Sequence, residues 1–236
     1  MTITGAAGPR TLTNRFAMGA AVASGTIGIM AAACLIAAVQ LRAWRAASRP
    51  VVRFLFTTHD VAIICQSLLL IPAICVVHAL YRQRSSAVSF ASAVTSVTAL
   101  SAIALLQSLR FADIGPDTLY MVPQGLLGVW LIIVNKCAKD ILPPHVARVG
   151  MVAGLGLTMI AASLLTVIGY FGVGALSGPI RVGDSSARLV NRIVHINLDV
   201  GTFLGKPTYP IWVLLVAFTF LRNRFQPASP ARTEGP

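Results

Sequence analysis

RFLFTTHDVAIICQSLLLIPAICVVHALYR, residues 53–82, decides the architecture of this chain. A bilayer hydrocarbon core about 30 Å thick takes roughly 20 residues of helix. The run from Phe54 to Tyr81 exceeds that length and has an arginine just outside each end, where long cationic side chains reach the headgroups. It reads as a membrane-spanning helix. What does not fit a purely apolar span is His59-Asp60, two turns inside Arg53, followed by Gln66 and Ser67.

Working outward, the rest of the chain repeats the pattern. Of 236 residues 56% are hydrophobic and only 11% are charged, against about 25% charged in soluble domains. A soluble fold is excluded. The formal charge of +12 would suit nucleic acid only if the basic residues shared one face. Instead Arg15 and Arg42, Arg53 and Arg82, and Arg84 and Arg110 bracket successive apolar runs. The expected partners are membrane lipids and not nucleic acid. Cys34, Cys65 and Cys75 lie within apolar runs and Cys137 just after one, with no spacing suited to a metal or a redox pair. The preference for arginine over lysine, with abundant alanine, is a compositional habit of bacteria with GC-rich genomes.

Six transmembrane helices are expected, over residues 16–41, 54–81, 87–109, 119–135, 149–176 and 203–221, forming one domain over 1–225 with a disordered tail at 226–236. The first imitates a signal peptide, and Ala31-Ala32-Ala33-Cys34 imitates a lipoprotein site. Its apolar region is longer than the about 15 residues of such signals and continues past Cys34, so it reads as a span. Pro123-Gln124-Gly125 predicts a kink or an unwound first turn in the fourth helix. Pro207 and Pro210 fit the opening turn of the sixth, where proline removes no helical bond. Both termini then share one side of the membrane, and the basic residues divide too evenly between the loops to say which side.

Between helices five and six, Leu189, Ile193, Ile196 and Val200 recur at helical spacing beside a stripe of Arg188, Arg192, His195 and Asp199. Asp184 or Ser185 can cap the start. This predicts an amphipathic helix lying in the interface, or alternatively a lid over a cavity. The fold class is thus an all-α membrane bundle of six helices with an interfacial helix before the last.

Helix two carries the best chemical lead. At about 100° per residue, Asp60, Ser67, Ile71 and His78 point in nearly one direction, with His59 and Gln66 on the adjacent stripe. Asp60 and His78 are about 27 Å apart along the axis, near opposite surfaces. His59, Asp60, Gln66 and Ser67 could face the bundle interior and bind a small ligand, ion or lipid. Equally, His59 and Asp60 could tie the helix end to a neighbouring helix or a loop arginine, because adjacent side chains diverge by about 100°.

No catalytic motif is present: no GxSxG, HExxH, Walker loop or pair of carboxylates on one face. Asp113 and Asp117 flank Gly115-Pro116, as a turn requires. No metal site or cofactor is expected. Four histidines divide two and two between the membrane sides, as a haem-binding bundle would need, but His145 in a loop and His195 on a surface helix lack the fixed rings that axial ligation needs. Helix three presents Ser85, Ser89, Ser92 and Ser96, with Thr95 and Thr98 nearby, and helix five presents Gly150, Gly154 and Gly156. Both read as close-packing faces.

Val122-Pro123-Gln124-Gly125-Leu126-Leu127-Gly128-Val129-Trp130-Leu131-Ile132-Ile133-Val134-Asn135, then Leu142-Pro143, Gly150, Gly154 and Gly156, with Pro210-Ile211-Trp212 later, resembles a family of uncharacterised bacterial six-helix membrane proteins. The resemblance covers the C-terminal half and implies a six-helix bundle in the plasma membrane, with no activity attached. The expected function is binding or sensing of a small ligand, ion or lipid through helix two. The alternatives are a membrane enzyme or electron carrier using His59 and Asp60, and a small secondary transporter, for which the Pro123-Gly125 break has no counterpart in the first half.

Overall fold

A computed structural model describes residues 9–44, 48–81, 86–111, 114, 119–137, 142–172 and 185–225. All regular structure among them is helical: α1 (Pro9–Ala43), α2 (Arg49–Tyr81), α3 (Ser86–Phe111), α4 (Met121–Cys137), α5 (Pro144–Phe171) and α6 (Ser185–Phe225). Five of these are long and apolar enough to cross a membrane. The fourth, at 17 residues, spans about 26 Å, slightly less than a hydrocarbon core. Ser85, Asp113, Asp117, Asp184 and the 226–236 tail lie outside the described residues.

The helices pack as a closed ring, each against its neighbours in sequence, with α6 returning to α1. Side chains fill the centre: Leu70 of α2, Leu100 of α3, Leu127, Trp130 and Leu131 of α4, and Trp212 of α6 are all buried in one apolar cluster. The two tryptophan rings meet edge to face at 6.0 Å. Their N–H groups, which could not stay unpaired in an apolar interior, donate to Ser92 Oγ at 2.7 Å and Asn135 Oδ1 at 3.0 Å.

Glycine sets how closely α5 approaches both neighbours. A Cβ on Gly154 would lie 2.7 Å from the Gly128 carbonyl of α4, and one on Gly156 would run into the backbone of Gly205 on α6. The expected packing face of helix five is therefore real, and it has two sides. Pro143 and Pro144 open α5, and Gly172, at φ 76°, closes it by donating its N–H to Ile168 O. That left-handed residue ends the helix before the expected boundary at 176.

Two other expectations about proline need correction. At the start of α4, Pro123 does not unwind the first turn: the chain is helical from Met121, and Gln124 N–H bonds Tyr120 O at 3.3 Å. Pro123 sits in the turn whose amides have no intrahelical acceptor. In α6, Pro207 and Pro210 are interior residues of a 41-residue helix, and the amphipathic segment from Ser185 continues through them without a break. The prolines free the carbonyls of Phe203 and Lys206 from their helical donors, and the Thr208 hydroxyl donates to the Leu204 and Gly205 carbonyls between them. Hydroxyl side chains and close neighbours commonly make proline tolerable in membrane helices. At about 60 Å, α6 is twice as long as a hydrocarbon core is thick, so its exposed first turns project beyond the bundle. There Arg188, Arg192 and His195 are exposed, and so are Leu189, Ile193 and Ile196.

Candidate functional site

Near one end of the ring a cavity of about 260 Å³ lies among α1, α2, α6, the end of α3 and the turn before α4. His59, Asp60, Arg110, Tyr120, Asp199 and Lys206, with Gln40 and Thr202, supply its polar lining; Leu35, Ile36, Val39, Leu198 and Phe203 are among its apolar residues.

Asp60 and His59 are both buried, but they are held by different neighbours. Arg110 in the last turn of α3 places Nη1 3.2 Å from each Asp60 carboxylate oxygen. A carboxylate at the bilayer centre costs at least about 2.5 kcal/mol, and pairing with a cation whose stem reaches up to water lowers that cost. Arg110 is 34% exposed against 9% for the Asp60 side chain, as such an anchor requires. His59 Nδ1 stands 2.9 Å from the Ala31 carbonyl of α1. A carbonyl only accepts, so Nδ1 carries a proton and donates. The ties to a neighbouring helix and to an arginine at the loop edge are thus present, together with exposure of both residues to one cavity.

Lys206 enters from α6 with Nζ 5.4 Å from the centre of the Tyr120 ring, within cation–π range. Below the cavity the interior stays polar. Gln66 Nε2 on α2, both amide atoms of Gln107 on α3, Gln124 Oε1 on α4 and Tyr209 Oη on α6 are buried without a hydrogen-bond partner. Each lies three to six residues further into the bundle along its own helix than the cavity residue there, that is Asp60, Arg110, Lys206 or, for Gln124, Tyr120 just before its helix. The Gln66 amide occupies space that a Cβ on Gly28 of α1 would fill, beside Pro210, and Ser24 Oγ donates to the Gln66 carbonyl at 2.9 Å. Ser67 is buried on the same helix.

The structure therefore brings His59 and Asp60 to one cavity, with Gln66 beneath it. It does not bring the helix-three hydroxyls there. Ser92 receives the Trp130 N–H, buried Ser96 bonds back to the Ser92 and Ala93 carbonyls, and Thr95 bonds back to Ala91. Arg188, Arg192 and His195 are not among the lining residues. Among the described residues no group of three or more His, Cys, Asp or Glu could hold a metal ion.

Sequence reasoning missed Arg110, Lys206, Tyr120, Gln107, Gln124 and Tyr209 as site residues. For Lys206 a signal existed: the periodicity of Leu189 to Val200 runs on through Phe203, which puts the lysine inside a helix and not at the end of a loop. The partners of Asp60 come from helices distant in sequence, which no local pattern discloses.

Long apolar helices closed into a ring with an apolar centre and a cavity with charged residues near one end define a helical integral membrane protein. No family model, curated protein or solved structure matches the chain.

Proposed function

We propose that this is a multi-pass protein of a bacterial plasma membrane, with six spans and both termini on one side, that binds a small ligand with polar groups in the cavity lined by His59, Asp60, Arg110 and Lys206. The bacterial assignment rests on the resemblance of the C-terminal half and on composition. The binding reading rests above all on the unpartnered polar atoms of Gln66, Gln107, Gln124 and Tyr209. Leaving a buried donor or acceptor unsatisfied costs about 1 to 3 kcal/mol each, and four helices each contribute at least one here, α3 two. Water or the polar part of a ligand belongs at that level. The opposite end of the ring interior is apolar, around Ala21, Leu70, Trp130, Trp212 and Val213, which favours a site reached from one face over a path through the molecule.

The test is access. In a chain freed of its four cysteines, Thr202→Cys on the cavity wall is expected to react with a small charged methanethiosulfonate added to one side of sealed vesicles. Leu127→Cys, in the apolar centre, is expected to stay unlabelled from both sides. A Thr202→Cys protein inert to the reagent from either side overturns the binding reading.

A further inference from the structure

The shape and chemistry of this cavity identify a class of ligand. Deeper in the membrane α1 and α6 touch: a Cβ on Gly25 would meet Leu214, and one on Gly28 would meet Pro210. Toward the cavity end the same two helices, at Leu35 to Gln40 and Leu198 to Pro207, stand on either side of the open space. They diverge from a glycine contact, and the gap between them faces the bilayer. Its edges are apolar and exposed: Val39 is 45% exposed and Phe203 55%.

One pole of the space is charged and the other is greasy. The volume of about 260 Å³ is the room of roughly nine waters at about 30 Å³ each, enough for a headgroup and too little for acyl chains as well. A molecule satisfying both poles keeps its head inside and its chains in the lipid between α1 and α6.

The charge balance sets the sign of the head. Arg110 offsets Asp60 at 3.2 Å, and Asp199 is exposed about two turns outward from Lys206. A wider groove of about 1090 Å³ shares Phe56, Asp60 and Arg110 with the cavity and adds Arg42, Arg49 and Arg53 with no further carboxylate. The combined surface has an excess of cations around one end of the ring, and an excess of Lys and Arg is what attracts phosphate groups.

We propose, resting on the binding reading above, that the occupant is an anionic glycerophospholipid that enters sideways between α1 and α6. Its phosphate seats between Lys206 and Arg110, and its chains stay against Ile36, Val39 and Phe203. Basic pockets between membrane helices recognise lipid headgroups in this way.

The protein purified in a neutral detergent is titrated with dioctanoyl phosphatidylglycerol, dioctanoyl phosphatidylcholine and glycerol 3-phosphate, following intrinsic tryptophan fluorescence and thermal unfolding. Phosphatidylglycerol is expected to bind at least about tenfold more tightly than phosphatidylcholine. Lys206→Met is expected to remove that preference, while Arg192→Ala, exposed outside the cavity, keeps it. Val39→Trp, which narrows the gap without touching the charges, is expected to weaken the lipid about tenfold or more, and it carries the test if Lys206→Met does not fold. Equal affinity for the two lipids, or a Val39→Trp protein that binds as the wild type does, overturns the proposal. So does glycerol 3-phosphate binding as tightly as the lipid, because the chains then contribute nothing. Any of these with Thr202→Cys still labelled removes the lipid and leaves the polar site standing.

Discussion

Arg110 reaches Asp60 from the end of the neighbouring helix, and that geometry fixes what each substitution does. Replacing Arg110 with leucine removes the guanidinium that pairs with a buried carboxylate. Breaking a fully enclosed pair costs about 3 to 5 kcal/mol, but Arg110 is one-third exposed, so a loss on the order of 2 kcal/mol is expected after solvent screening. Asp60→Asn is expected to cost less, since the freed guanidinium can turn to the headgroups, and Asp60→Asn with Arg110→Leu is expected to recover part of the loss of Arg110→Leu alone. Thermal unfolding in detergent measures all three. A double variant less stable than Arg110→Leu would contradict the pairing. Sequence alone placed Asp60 two turns inside Arg53 on a helix that α2 contains, because counting turns needs only helical rise. It could not name Arg110 as the partner, because 50 residues separate them.

At the scale of the helix, the α5 contacts show which glycines are required. Gly156 meets Gly205 backbone against backbone, so neither side can move aside for a side chain. Gly156→Leu is expected to cost at least about 3 kcal/mol, the upper end of overpacking, and to lower folded yield in detergent. Gly19→Ala in α1 has nothing within 4 Å of the added methyl and is expected to be neutral or to gain up to about 1 kcal/mol from helix propensity. Equal losses at the two sites would refute the close contact of α5 with α6. Helix existence was legible because apolar runs of spanning length have few other fates in a membrane. Helix ends were less so. Proline marked the expected starts of α4 and α6, but its local cost is about 3 kcal/mol, which a long helix with a supporting hydroxyl at Thr208 and glycine contacts at Gly201 and Gly205 can carry.

Considered as a whole, the ring has two unlike ends. Around the cavity the lining is charged and the neighbouring arginines face outward; toward the other end Trp130 and Trp212 close the interior with apolar neighbours and hydrogen bonds to Ser92 and Asn135. Sequence could not disclose that asymmetry, because basic residues are spread almost evenly between the loops and the closure of α6 onto α1 joins the two ends of the chain. The three tryptophans report on it directly. Trp44 is 75% exposed, whereas Trp130 and Trp212 are each 5% exposed. In a Trp44→Phe protein the remaining emission is expected to lie at short wavelength and to resist quenching by iodide, and to stay resistant when the cavity is opened to water by Lys206→Ala. Iodide quenching comparable to that of free tryptophan in either protein would mean that water reaches the ring centre, and a site open to one face would have to be replaced by a passage through the bundle.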